Sequence, residues 1–394
     1  MTMKLKILNN LKLELIIIFS LIIFGIYLSA VSGYGSDEDT LPMIGVFEGI
    51  MGGGNLMASR FTPYPVAELG IGFLSYNFGS GVANLTTFLF MIIGVIVFYY
   101  ALAKKINYRD LILLLLLCLS SPVLFFDNLE PMDYSWAFLP LALGIFCLRK
   151  NYWDLAVVLF GISVGTRIYF LAFVLMAICF YDYYPKINIK KKIITFLLSF
   201  FIGGLFYLPI WFEHGFGLSW LTAVTPNQQG IFGLVARFFY KITMTFSLIT
   251  FAILLIIFIK KFNSKTKYKI SKLIVSIILM NLIIFFFIPS ELSYLQPMLI
   301  AFYYFVIVNF TKKTFYVIVI VQFISWAVEI NPLTIYYKNQ NKCDNVEAVS
   351  AEINFTIEKG RYFQFIDTRD QIKCWVKDNS PRSRRILEGK ALKN

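Results

Sequence analysis

The chain is poor in charge and has a single histidine. Charged residues make up 15% of its 394 residues, whereas hydrophobic residues make up 58%. So little charge leaves too few polar residues to cover a soluble globule of this size. Any histidine-based metal site or Ser-His-Asp triad would have to use His214.

Long apolar runs recur from Leu13 to Ile330. Each is roughly long enough to cross the ~30 Å hydrocarbon layer as a helix. The runs are apolar on all sides instead of alternating, which favours helices over strands. We therefore predict an all-α polytopic membrane protein with about eleven transmembrane helices. The predicted spans are 13–30, 82–103, 110–126, 134–148, 152–166, 168–184, 192–211, 242–259, 273–289, 295–310 and 314–330.

The distribution of charge predicts the orientation. With the N-terminus inside, 20 of the 24 Lys and Arg residues up to Asn331 fall on the cytoplasmic side, and 11 of the 15 acids fall outside. The net charge of +13 is then explained by contact with anionic membrane lipids, and no motif indicates nucleic acid. The Ile-, Lys- and Asn-rich composition favours a prokaryotic inner membrane, with the C-terminal tail extracytoplasmic.

Two external loops and a tail stand apart from the predicted spans. The predicted ranges are 1–331 for the transmembrane domain, 31–80 and 212–241 for its external loops, and 332–394 for a small extracytoplasmic tail. Within the first loop, Leu41 to Met51 is predicted to form a short interfacial helix, capped by the acids before it. The tail is predicted to fold until about Asp378, with residues 379–394 disordered. Its cysteines, Cys343 and Cys374, form either a disulfide or two free thiols.

Two acidic patches are predicted on the external face. Asp37, Glu38 and Asp39 follow the first span, and Asp127, Glu130 and Asp133 lie between the third and fourth spans. Such carboxylates bind a divalent cation, Mg or Mn, or act as a general base. The alternatives are an ordinary solvated loop for the first patch and a helix cap for Asp133.

Four further residues are candidates for substrate contact. Arg167 lies in a short turn at membrane depth, where an arginine usually has an anionic partner. A phosphate and a structural ion pair both remain open for it, and the same holds for Arg60. His214 and Glu291 lie in external loops, where each is either a ligand contact or a structural residue.

These residues occur in an order that resembles the GT-C superfamily of membrane glycosyltransferases, which includes protein O-mannosyltransferases and bacterial lipid A and O-antigen sugar transferases. Asp37-Glu38, or Asp39, matches their acidic pair in the first external loop, and Asp133-Tyr134 matches an acid before the fourth helix. The string from Ser59 to Glu68, which contains Arg60 and Tyr64, is similar to a Ser-Arg-Phe-Pro-Gly-Tyr-Pro stretch followed by Glu. Gly165-Thr166-Arg167 and Ser293-Tyr294-Leu295-Gln296-Pro297 resemble later elements, although Ser293 replaces an arginine.

The resemblance implies sugar transfer from a polyprenyl-phosphate donor to a lipid-linked or cell-surface acceptor at the outer face. It implies that Asp39 or Asp37 is the base and that Asp133, with Asp37, positions the acceptor or a metal. Arg167 or Arg60 would stabilise the departing phosphate. It also implies substrate contacts from Tyr64, Glu68, Asp127, His214 and Glu291.

Two other functions remain open. An O-antigen polymerase or ligase also uses lipid-linked sugars, but it tends to rely on arginines in a large late loop. A transporter or flippase would need a polar pathway through the bundle, whereas few ionisable residues lie at mid-membrane in the predicted spans.

Overall fold

The structure is a computed structural model of a mainly α-helical chain. It describes residues 2–34, 39–54, 59, 63–103, 106–181, 188–214, 230–263, 271–289, 291–337, 348–376 and 381–392. The helices of the first half are α1 (Thr2–Val31), α2 (Thr40–Met51), α3 (Pro65–Phe78), α4 (Ser80–Leu102), α5 (Tyr108–Ser120), α6 (Pro122–Phe126), α7 (Tyr134–Arg149), α8 (Trp153–Thr166) and α9 (Phe170–Phe180). Those of the second half are α10 (Ile189–Leu205), α11 (Leu208–His214), α12 (Gly230–Phe246), α13 (Leu248–Asn263), α14 (Lys272–Phe287), α15 (Gln296–Asn309) and α16 (Lys312–Ala327). The tail contains strands β1 (Val328–Tyr337) and β2 (Ala348–Lys359), then α17 (Arg361–Trp375) and α18 (Pro381–Leu387).

Within these described residues, three helices are long and apolar enough to cross a membrane: Lys12–Val31, Ser80–Leu102 and Leu292–Asn309. A bent pair, Ile231–Phe246 with Leu248–Lys260, makes a fourth if it is counted as one span. Shorter apolar helices occupy several other predicted spans: Tyr134–Arg149, Trp153–Thr166, Phe170–Phe180 and Lys272–Phe287. The chain is therefore a helical protein with three to four candidate spans by length and composition.

Two predicted spans are interrupted in the structure. The predicted span 110–126 divides at Ser121, because Pro122 lacks an N–H group and disfavours helical geometry in the residue before it. The predicted span 242–259 divides at Ser247, whose φ of +64° cannot continue a right-handed helix. As a result, α12 and α13 meet at 91°.

The first loop carries two helices, one of which was predicted. The expected helix at Leu41–Met51 is present as α2, followed by Gly52, and α3 adds a second helix before α4. The predicted capping by Asp39 is wrong, because its side chain makes no cap hydrogen bond to α2. The Thr40 hydroxyl instead lies 3.8 Å from the Met132 sulfur. This contact brings the first loop against the second acidic loop, in agreement with a shared face.

Close packing of α8 against α10 depends on glycine. A Cβ on Gly203 would lie 2.6 Å from Val164 Cγ1 and 3.2 Å from the Gly161 carbonyl oxygen. A Cβ on the neighbouring Gly204 would meet nothing within 4 Å. Small residues let two helix backbones approach closely. Among lipid tails there is little hydrophobic driving force for helix association, so close packing of this kind is what brings helices together.

The tail packs on the helical bundle instead of forming a separate unit. The two antiparallel strands β1 and β2 continue directly from α16, and α17 then packs against α16 and α6. The predicted disorder of residues 379–394 is wrong for the described part, 381–392. There Ile386 and Leu392 are buried with Tyr34 and Ile44. Apolar burial and the hydrogen bond from the Tyr34 hydroxyl to the Lys390 carbonyl oxygen, 3.1 Å, stabilise this segment.

We expect Gly203→Ala to lower the melting temperature of the detergent-solubilised protein, because the added methyl group must displace Val164 or separate α8 from α10. Gly204→Ala is the matched control. It gains about 0.5–1 kcal/mol of helix propensity without a clash, so its melting temperature should be unchanged or higher. Equal melting temperatures for the two variants would contradict the packing described here.

Candidate functional site

A buried ion pair between Asp133 and Arg167 joins the start of α7 to the end of α8. Arg167 Nη2 donates to Asp133 Oδ1 at 2.8 Å, and Arg167 Nε donates to Asp133 Oδ2. Both side chains are 0% exposed. A guanidinium that engages both carboxylate oxygens forms one of the stronger ion pairs available to a protein. The pair therefore fixes the relative position of the two helix ends.

Four tyrosine rings surround the Arg167 guanidinium. Its central carbon lies 3.8 Å from the ring centroid of Tyr134, 4.5 Å from Tyr64, 4.7 Å from Tyr294 and 5.4 Å from Tyr169. Nη1 also donates to the Tyr169 hydroxyl at 2.7 Å. Aromatic faces attract a desolvated cation by up to about 2 kcal/mol each. The rings come from four separate segments, so this cage holds one end of the bundle together.

This geometry favours the structural alternative for Asp133 and Arg167. Both Asp133 oxygens accept hydrogen bonds from Arg167, which is the partner that the structural alternative requires. The guanidinium of Arg167 likewise donates to a carboxylate, that of Asp133, and not to a phosphate. The capping alternative for Asp133 is wrong, because its side chain makes no cap hydrogen bond to α7. Within the described ranges, no group of three or more His, Cys, Asp or Glu side chains converges on a metal position.

Tyr64 and Glu68, predicted as substrate contacts, are also buried beside this cage. Glu68 Oε1 accepts from the Tyr64 backbone N–H at 3.2 Å and from the Ser59 hydroxyl. The Tyr64 hydroxyl lies 3.5 Å from that of Tyr294. Pro65 occupies the first turn of α3, where its missing N–H costs no hydrogen bond. Glu68 thus closes the N-terminus of α3 and positions the Tyr64 ring against Arg167.

The cage borders an open cavity through Glu291. The Tyr134 hydroxyl donates to Glu291 Oε2, and Glu291 lines a cavity of about 270 Å³. The cavity is lined by Phe126, Asp127, Glu130, Lys241, Glu291, Leu292, Ser293, Arg361, Gln364, Phe365 and Thr368. Pockets for small molecules span roughly 300–1,000 Å³, so this cavity lies just below the lower end of that range. Two predicted contact residues, Asp127 and Glu291, meet here.

Cations and carboxylates face each other across this cavity. Asp127 Oδ1 accepts from Arg361 Nη2 at 3.0 Å, and Asp127 Oδ2 accepts from the Ser293 hydroxyl at 2.5 Å. Burial alone would lower the pKa of Arg361, but the carboxylate of Asp127 raises it above its usual range. Lys241, in α12, lines the same cavity and forms no ion pair with a carboxylate of the described residues. Of the two cations that line this cavity, Lys241 is therefore the one that no described carboxylate pairs.

Sequence reasoning missed the contribution of the tail to this cavity. Arg361, Gln364 and Phe365 come from α17, far along the chain from Asp127. Lys241 was visible as one of the few basic residues outside the predicted cytoplasmic side. That signal marked Lys241 as unusual, whereas no sequence pattern linked Arg361 to the second acidic loop.

A buried acid, Glu329, lies behind the cavity wall. It belongs to β1, and Gln364 Nε2 donates to its Oε2 at 3.4 Å. Burial raises the pKa of Glu329 to about 7, although Arg361 opposes the shift.

Several predicted site residues lie outside the described residues. They are Asp37, Glu38, Arg60 and Cys343 in full, and His214 and Cys374 in their side chains. Asp39 is described and partly buried, next to the Thr40–Met132 contact. Catalysis by the first loop, the divalent cation and the Cys343–Cys374 disulfide therefore stay predictions.

Comparisons with protein-family models, with curated proteins and with solved structures find no match to this chain.

We expect Arg167→Lys to destabilise the protein by about 1.5–3 kcal/mol, because a lysine keeps the charge but cannot reproduce the two-point contact with Asp133 in a buried site. The matched control is Arg382→Gln. It breaks the exposed pair with Glu48, which is worth about 0–1 kcal/mol. Thermal unfolding in detergent would measure both. A small effect for Arg167→Lys, similar to the control, would show that the cage does not hold the bundle together.

Glu329 predicts a pH dependence of stability. Its pKa is raised on folding from 4.5 to about 7, so the folded state binds more protons than the unfolded state between these values. The free energy of unfolding should therefore fall as pH rises from about 4.5 to about 7. Glu329→Gln should remove this contribution and flatten the pH profile. An unchanged profile in that variant, measured by denaturant unfolding at several pH values, would refute the assignment.

Proposed function

We propose that the chain is an inverting glycosyltransferase of the GT-C type. It moves a sugar from a polyprenyl-phosphate donor to a lipid-linked or cell-surface acceptor at the outer face of the membrane. The observation that carries the proposal is the cavity in which Lys241 and Arg361 face Asp127, Glu130 and Glu291. These groups suit a glycosyl phosphate, because the cations can bind its phosphate and the carboxylates can accept hydrogen bonds from sugar hydroxyl groups.

Lys241 and Arg361 are the proposed phosphate ligands. Lys241 presents a charge that no described carboxylate pairs, and Arg361 presents a guanidinium whose side chain is 31% exposed. Phosphate suits both groups, since Arg binds two oxygens at once and Lys acts as a point charge. As the bond between the sugar and the phosphate breaks, negative charge grows on the departing polyprenyl phosphate, and these cations stabilise it.

A carboxylate of the first loop, Asp37 or Asp39, is the proposed base. It takes the proton from the acceptor hydroxyl as that oxygen attacks the anomeric carbon from the side opposite the phosphate. A new carbon–oxygen bond forms, the polyprenyl phosphate leaves, and the anomeric configuration inverts. The contact between Thr40 and Met132 supports this role, because it brings the first loop against the loop that carries Asp127 and Glu130.

Transfer of label from radiolabelled polyprenyl-phosphate sugars to a crude acceptor mixture tests the proposal. Purified wild type should transfer label from at least one donor. Whichever of Asp37→Asn and Asp39→Asn removes the base should lower kcat by about 10²–10⁴-fold, the usual contribution of a general base. If the folded wild-type protein transfers no label from any donor, the enzyme assignment fails. Flux of the same lipids in proteoliposomes would then test the transporter alternative.

The phosphate-binding role has a separate signature. Lys241→Met should raise KM for the donor by roughly tenfold or more, because a hydrogen bond to a charged group is worth about 1.5–3 kcal/mol. Arg382→Gln is the control, since Arg382 pairs with Glu48 away from the cavity. If the donor KM of the Lys241 variant were unchanged, the cavity would not be the donor-binding site. The proposal that the chain is a glycosyltransferase would then still be open.

A further inference from the structure

The β1–β2 hairpin has an apolar face that is turned away from the protein. At its base, Ile330 pairs with Ile357, so these side chains share one face. Phe355 lies two residues before Ile357 in β2, next to the register shift between Asn331 and Leu333, and is also turned outward. Ile357 is 80% exposed and Phe355 is 67% exposed. Exposed apolar side chains gathered on one face indicate an interaction surface.

The polar face of the same hairpin is turned inward. Glu329 is buried against Gln364 of α17. Asn331 Nδ2 donates to the Glu358 carboxylate at 3.2 Å, and the Tyr240 hydroxyl of α12 donates to Asn331 Oδ1 at 3.2 Å. A hairpin on the surface of a water-soluble protein has the opposite arrangement, with its apolar side on the core. In this hairpin the arrangement is inverted, with the apolar side turned outward.

The exposed face continues an apolar stripe on α16. Val317, Ile320 and Ile324 are exposed at helical spacing, and Val328, the first residue of β1, extends the same run. A stripe of exposed apolar side chains on a helix is suited to contact with lipid. Because α16 leads into β1 without a loop, the exposed apolar surface of the helix passes directly to the hairpin.

The backbone of the hairpin limits how deeply its apolar face can enter a membrane. Two strands leave unpaired N–H and C=O groups along both outer edges, and these groups cannot enter the hydrocarbon layer. Lys359, which pairs with Val328 across the two strands, also keeps its ammonium in a 2.7 Å ion pair with Asp367. A lysine at such a position buries its stem and holds its charge at the polar boundary. Only the side chains therefore reach the acyl chains, while the strands remain at the level of the lipid headgroups.

We infer that the apolar face of the hairpin, formed by Ile330, Phe355 and Ile357, is a lipid-binding surface that lies on the membrane next to α16. It anchors the tail at the membrane surface. Because α17 follows β2 after Gly360 alone, the anchor also holds Arg361 beside Asp127. This inference is independent of the proposed enzymatic activity, since it concerns contact with lipid.

Photo-crosslinking in proteoliposomes tests the inference directly. The amino acid p-benzoylphenylalanine is placed at position 355, where one ring replaces another, and separately at position 357. The vesicles contain a radiolabelled phosphatidylglycerol. Position 320, in the α16 stripe, is the control for lipid contact, and position 356, on the polar face of β2, is the control for orientation. Each variant is used only if it elutes as a monodisperse protein.

Covalent lipid adducts are expected from positions 320, 355 and 357, and no adduct is expected from position 356. A crosslinked dimer of the chain from positions 355 and 357 would show that a second copy covers this face and would overturn the inference. Lipid adducts from position 320 alone would place the hairpin in water. Equal lipid labelling at positions 355 and 356 would mean that the hairpin has no oriented face. Each of these last two results would also overturn it.

Discussion

The cost of burying charge governs the organisation of this molecule. Moving an arginine and an aspartate out of water costs several kcal/mol per ion, and the interaction between them offsets this only if the geometry is good. The Asp133–Arg167 pair meets that condition with two hydrogen bonds and four surrounding tyrosines. Burying this one guanidinium with its partners therefore requires four segments to meet at one point. They are the start of α7, the end of α8, the start of α3 and the turn before α15.

One wall of the cavity is positioned by this arrangement. Tyr134 contributes its ring to Arg167 and its hydroxyl to Glu291, so a single side chain connects the sealed pair to the open site. Tyr294, three residues after Glu291, stacks on Tyr169 within the same cage. The carboxylate of Glu291 is therefore held by a rigid aromatic cluster. Positioning of this kind is what a site needs if it is to keep a donor and an acceptor in fixed relative positions.

Local features of the fold could be predicted from the sequence, and the tertiary contacts could not. Apolar runs predicted the helices, and Pro122 explains the break that divides one of them. The break at Ser247 carries no comparable signal, because a serine with positive φ depends on its surroundings. The pairing of Asp127 with Arg361 joins residues 234 positions apart and leaves no periodic pattern. Such a pair is selected by packing of the tail on the bundle, which sequence patterns do not describe.

The two arginine–aspartate pairs differ in exposure, and this difference assigns them different roles. Arg167 and Asp133 are both 0% exposed, so exchanging one partner for a ligand would leave a buried charge unpaired. Arg361 and Asp127 are 31% and 9% exposed, and they face a cavity that also holds Lys241. An exchange of partner at this second pair would leave Asp127 with its hydrogen bond from the Ser293 hydroxyl and with some access to water, so it costs less there than at the first pair. The sealed pair therefore stabilises the fold, whereas the pair contributed in part by the tail is suited to binding a ligand.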